Sequence, residues 1–124
     1  MASQKPKVVR RVLVIDDAKD VADITVEMLK SMGHEAEAAY DGRTGIDTAL
    51  VFRPDVILVD IVMPEMDGFK LVRELRDMFP TNTPKLIAFT AHKQPSLLAA
   101  ADAGGFDTHI TKPVSTAVLE KVLA

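Results

Sequence analysis

The side chains in this chain best suited to metal or phosphate chemistry sit just behind apolar runs. Asp16 and Asp17 follow Val12–Ile15, Asp60 follows Val56–Val59, Thr90 follows Lys85–Phe89, and Lys112 follows Phe106–Ile110. Singly, each has an ordinary explanation. Asp16 or Asp17 could cap a helix beginning near Ala18. Thr90 reads as a satisfied hydroxyl, Lys112 as a solvated lysine, and Lys112-Pro113 as a turn whose proline disfavours helix and can be cis. Asp60 fits capping poorly, because Pro64 and Gly68 stand between it and the next helical pattern. Jointly they describe one site. Three carboxylates in a small crevice repel one another, and a hard divalent cation removes that repulsion. All-oxygen ligands favour Mg²⁺ or Mn²⁺ over zinc. A hydroxyl and a lysine ammonium beside them suit the oxygens of a phosphoryl group.

Bringing those positions together requires a particular architecture. Val12–Ile15 and Val56–Val59 are unbroken apolar runs, the pattern of strands buried on both faces. His34–Tyr40 is a weaker, edge-like strand, Lys85–Phe89 a fourth ending at Thr90, and Phe106–Ile110 a fifth. Helical spacing recurs between them: Val21, Ile24, Met28, Leu29 and Met32 before Gly33; Ile46, Ala49, Leu50 and Phe52 before the Arg53-Pro54-Asp55 break; Phe69, Leu71, Val72, Leu75 and Met78 before Pro80–Pro84; Leu97, Leu98 and Ala101 before Gly104-Gly105; and a short helix over Val114–Ala124. Five strands alternating with five helices predict an α/β fold, a parallel sheet covered on both faces. The strand C-termini then share one edge, where open α/β sheets bind ligands.

Composition narrows the function classes. A chain of 124 residues is one domain, with room for a switch and none for an output domain. Fifteen Lys and Arg against eighteen Asp and Glu leave a net charge of −3, no basis for binding nucleic acid or an anionic membrane. Absence of Cys removes disulfides, thiolate nucleophiles and Cys-ligated zinc, and suits a cytoplasmic protein. The longest apolar run, Leu97–Ala101, is far too short for a membrane span, and no signal peptide is present. Without Trp and with Tyr40 as the single Tyr, no aromatic platform for bases exists. His34, His92 and His109 match no zinc spacing. Residues 1–9 form a flexible arm, and Lys5, Lys7, Arg10 and Arg11 at the N-terminus fall short of a nucleic-acid signal. Arg43, Arg53, Arg73 and Arg76 read as solvated helix faces, and Met63-Pro64-Glu65-Met66 as a polar turn with buried methionines.

The segments VLVIDD, VILVDIVMPEMDG, LIAFTA and ITKPV, in this order and at this spacing, resemble the receiver domain of two-component response regulators over residues 10–124. VDIVMPEMDG is the most specific piece. The resemblance implies a flavodoxin-like, doubly wound five-stranded sheet in the order 2-1-3-4-5. It implies that Asp60 accepts a phosphoryl group from a sensor histidine kinase or a histidine phosphotransfer protein. Asp17 and Asp60, with the backbone carbonyl of Val62, would hold Mg²⁺ or Mn²⁺, Asp16 acting largely through metal-bound water. Thr90 and Lys112 would hold phosphoryl oxygens. Such a protein catalyses its own phosphorylation and dephosphorylation without turning over a metabolite, and is a switch more than an enzyme. Two other readings are a receiver-like docking module that works without phosphorylation and a haloacid-dehalogenase-type phosphatase. Asp60-Ile61-Val62 lacks the second Asp of the latter, and the chain is short for a cap domain.

Three positions depart from the family pattern. Three residues before Lys112 the family usually places Tyr or Phe, whose rotation accompanies movement of the threonine hydroxyl; here it is His109. His109 is either a partly exposed strand residue or the switch side chain, with a response that varies with pH. Val62 and His92 take the positions that flank the path of hydrolytic water. Val62 cannot orient water, and His92 reads as solvent-facing. The segment GFDTHITKPV is similar to receivers at the C-termini of hybrid kinases, so the chain fits either a stand-alone receiver or a segment of a larger protein.

Overall fold

A computed structural model describes residues 8–63 and 67–124. Strands and helices alternate through them: β1 (Arg11–Ile15), α1 (Lys19–Ser31), β2 (Glu35–Ala39), α2 (Gly42–Phe52), β3 (Val56–Val59), α3 (Gly68–Met78), β4 (Lys85–Thr90), α4 (Pro95–Ala103), β5 (Thr108–Thr111) and α5 (Thr116–Leu123). The strands make one parallel sheet in the order β2-β1-β3-β4-β5. Val14 sits between Ala38 and Leu58, and Phe89 pairs with Ile110.

Side chains alternate across a strand, so each apolar run feeds two cores. Leu13, Ile15, Ile57, Val59, Leu86 and Ala88 meet α2, α3 and α4 on one face. Val12, Val14, Val56, Leu58, Ile87, Phe89 and Ile110 meet α1 and α5 on the other. Each fully buried Leu or Ile contributes about 2 kcal/mol of transfer free energy. Among the described residues no helix is long and apolar enough to cross a membrane.

Several local expectations are corrected. The buried stripe of α1 is Ala22, Thr25, Val26 and Leu29. Val21, Met28 and Met32 are only half-buried beside it, and Ile24 is 61% exposed, because the stripe at i, i+3, i+4 and i+7 from Ala22 leaves them at or beyond its margin. Leu50 of α2 likewise points outward while Ala49 and Phe52 face in. The fifth strand is Thr108–Thr111 instead of Phe106–Ile110: Phe106 is core, and Asp107 pairs its backbone and carboxylate with Leu86 before the strand begins. The last helix starts at Thr116, where Ser115 accepts the Val118 N–H, and not at Val114. Arg76 is partly solvated but also makes tertiary contacts. Its Nε donates to the Gly105 carbonyl at 2.7 Å and its Nη2 to Asp107 at 3.2 Å, tying α3 to the approach to β5. Arg43, Arg53 and Arg73 are exposed as expected. Val8 and Val9 are exposed, whereas residues 1–7 of the anticipated arm lie outside the described residues. In the 63–66 turn Met63 is buried, and residues 64–66 also lie outside them.

Arg11 closes the end of the sheet away from the strand C-termini. Its guanidinium lies 4.3 Å from the Phe52 ring centroid, donates to the Phe52 carbonyl at the end of α2, and pairs with Glu35 at 2.5 Å. A cation at a helix C-terminus satisfies orphan carbonyls and opposes the helix dipole. Arg11→Met is expected to lower the unfolding free energy by about 1–2 kcal/mol. Urea denaturation measures this, and an unchanged midpoint would contradict it.

Candidate functional site

Backbone pairing aligns the acidic residues at the sheet edge. The Asp16 N–H donates to the Ala39 carbonyl at 3.0 Å and the Asp60 N–H to the Ile15 carbonyl at 2.9 Å, so both continue the ladders of their strands. On the far side the Lys112 N–H donates to the Thr90 carbonyl at 2.8 Å, placing the lysine beside the end of β4; the Lys112–Pro113 peptide bond is cis. Asp16, Asp60 and Thr90 are all buried, and Asp17 is exposed.

Helix capping does not account for these aspartates. Ala18 occupies the N-cap of α1 and no side chain caps it, while Asp16 accepts the Ala18 N–H at 2.9 Å. Asp60 accepts the Val62 N–H at 3.0 Å, in a loop and not at a helix start. Asp41 and Asp67 are the aspartates that cap, on α2 and α3. Gly68 brings the start of α3 against the acidic loop. A Cβ there would lie 2.6 Å from Ile61 Cα and 2.9 Å from the Asp60 carbonyl oxygen, so no other residue permits this approach without moving the loop.

One oxygen from each of Asp16, Asp17 and Asp60 lies within 4.8 Å of the others. That all-oxygen set of one exposed and two buried carboxylates fits a hard divalent cation. Lys112 forms an ion pair with Asp16 and stands 3.5 Å from Asp60 Oδ2. Burial pushes the Asp60 carboxyl up to about 6; the Val62 N–H and the Lys112 ammonium oppose the rise, and nearby Asp16 adds to it. An isolated carboxylate here would be costly, and the ammonium offsets part of that cost. Thr90 Oγ accepts the His92 N–H at 3.0 Å, which leaves its hydroxyl proton free to be donated.

The remaining expected residues fall at the margin. Val62 is 46% exposed and bridges to Asp67. His92 is exposed. His109 is a half-buried residue of β5 whose Nδ1 lies 3.1 Å from Asp102 Oδ1 of α4. One neighbour was not anticipated. The Lys112 ammonium lies 4.9 Å from the ring centroid of Phe89, a buried residue that reads in sequence as strand core alone.

Solved structures share this arrangement of strands and helices. Chemotaxis protein CheY4 of Vibrio cholerae is similar at 29% identity, with a TM-score of 0.84 over 94% of this chain and 97% of that one. A CheY-like response regulator receiver domain protein of Methanospirillum hungatei gives 27% identity and a TM-score of 0.81 over 94% and 92%. The signal receiver domain of a DNA-binding response regulator of Colwellia psychrerythraea gives 27% and 0.81 over 91% and 94%. The family model described as the response regulator receiver domain matches residues 12–124, which include every residue of the acidic edge. A parallel sheet whose first and third strands deliver carboxylates to a lysine after the fifth is thus accounted for by descent as well as by chemistry: the chain belongs to the response regulator receiver domain family.

Proposed function

We propose that the protein is a phosphoacceptor switch in which Asp60 takes a phosphoryl group from a histidine kinase or a histidine phosphotransfer protein. The observation that carries this reading is the gathering of Asp16, Asp17 and Asp60 within 4.8 Å, with Lys112 3.5 Å from Asp60. Asp16, Asp17 and Asp60, with the Val62 carbonyl, would hold Mg²⁺ (or Mn²⁺), which when bound neutralises charge on the transferring group. A carboxylate oxygen of Asp60 attacks phosphorus as the bond to the donor imidazole nitrogen breaks, and the proton that neutralises the imidazole comes from solvent. Asp60 must be ionised to attack, and a carboxyl titrating at about 6 is mostly ionised at neutral pH. Lys112 pairs with one phosphoryl oxygen and the Thr90 hydroxyl donates to another. Transfer of this kind needs positioning and charge more than covalent help from the protein.

The added charge would then redistribute two conformations. Movement of Thr90 toward the phosphoryl group strains its bond to the His92 N–H, and His109 with its Asp102 contact carries the change to α4. In this reading the protein works in the cytoplasm, dephosphorylates itself, and acts as a switch instead of turning over a metabolite. Acetyl phosphate with Mg²⁺ is expected to add one phosphate by intact mass, and Asp60→Asn to add none. An unmodified wild-type mass would favour the docking-only alternative and overturn this reading.

A further inference from the structure

Resting on that reading, we infer that Phe89 is a positioning residue of the site: its ring face holds the Lys112 ammonium within reach of a phosphoryl group on Asp60. Lysine is a poor fixed point. Its four-carbon stem is flexible, and its ammonium has three donors to satisfy. Here one donor is taken by Asp16, a second faces Asp60 Oδ2 at 3.5 Å, and the third side of the ammonium lies over the Phe89 ring, 4.9 Å from its centroid. The tighter of its two carboxylate partners is Asp16, which is wholly buried, and Asp60 stands farther off. A ring face attracts a cation without titrating or competing as a strong acceptor, so it retains the lysine while the donor that faces Asp60 stays directed at the incoming oxygen.

The surroundings make that attraction count. The Lys112 side chain is 13% exposed, and Val21, Met28, Pro113 and Val114 line the groove that it shares with Phe89. Cation–π attraction is strongest where water is kept away. The geometry follows from strand alternation: Phe89 immediately precedes Thr90 in β4 and faces the α1 and α5 layer, so the residue after β5 reaches back across it. A purely structural Phe89 would require shape alone, and any ring of the same size would serve.

Fluorination separates the two roles, because it drains the ring face of negative potential with little change in size. Fluorinated phenylalanines placed at position 89 alone in the 124-residue chain provide the series. Beryllofluoride, a phosphoryl mimic, is titrated by NMR in Mg²⁺. The trifluorinated ring is expected to weaken its binding about fivefold, with the monofluorinated ring between, while Mg²⁺ affinity stays close to wild type and Tm falls by no more than a few degrees. In wild type the Lys112 ε-methylene protons should resonate upfield through the ring current, and Phe89→Leu should return them to ordinary lysine values. Wild-type uptake of beryllofluoride with a flat fluorination series would overturn the role of Phe89 alone. No uptake by the wild-type protein would overturn the phosphoacceptor reading and this inference with it.

Discussion

Lys112→Met is expected to cost the metal-free protein about 3 kcal/mol of unfolding free energy, and Mg²⁺ should return much of it. Methionine keeps the length and apolar stem of lysine, so packing against Phe89 is largely retained and the charge is what is lost. Without the ammonium, Asp16 remains fully buried with the Ala18 N–H as its named partner, and Asp60 loses the cation 3.5 Å away. Breaking a buried pair from one side is the costly way to break it, since the surviving charge keeps its desolvation penalty. A divalent cation bound by the carboxylates would offset the same charge. Urea denaturation of both proteins in EDTA and in Mg²⁺ measures the effect. Adding Asp16→Asn to the Lys112→Met variant should recover part of the loss, because an amide carries no charge to strand. Equal stabilities in EDTA, or a deficit that ignores Mg²⁺, would contradict the account.

Asp60→Asn should stabilise the metal-free protein at neutral pH, by about 2 kcal/mol near pH 7.5. The folded carboxyl is pushed up to about 6 from its ordinary 3.8, chiefly by burial. Between those values the folded state keeps a proton that the unfolded chain has released, so stability falls as pH rises through the window. Above it the full penalty of burying an ionised Asp60 persists. Below about pH 4 both states are protonated and the penalty is gone. Asparagine never carries it. The advantage of the variant should therefore grow from near zero in acid to a plateau above pH 6, with EDTA present throughout. A gap that does not change with pH would show that charge burial is not its source. A gap that grows with pH as expected would mark the residue proposed as nucleophile as one that the fold tolerates at a cost, as buried reactive groups often are.

Much of the architecture was legible because the physics is local. Val12–Ile15 and Val56–Val59 are apolar at every position, and an unbroken run of that length buries both faces of a strand; each run ends where chemistry begins, at Asp16 and Asp60. Helix faces were less legible. Hydrophobicity points to Val21, Ile24, Met28, Leu29 and Met32 as the inner stripe of α1, but the stripe that meets the sheet is Ala22, Thr25, Val26 and Leu29, with Val21, Met28 and Met32 at its margin and Ile24 outside it. Strand ends were blurred where a side chain replaces a ladder bond, as Asp107 does for Leu86 ahead of β5.

The mild net charge of −3 concealed a local concentration of acid, and spacing behind apolar runs was enough to select Asp16, Asp17, Asp60, Thr90 and Lys112 as one edge. Such an edge follows from chain topology, which alternating strands and helices impose by the handedness of their connections. The partners of those residues do not follow from it. Burial of Asp16, the reach of Lys112 to two carboxylates, the Phe89 ring beneath its ammonium, and the contact of His109 with Asp102 all join residues distant in sequence or set by rotamer and packing. Periodicity records which way a side chain points along its own element; what it meets there is settled when the elements pack.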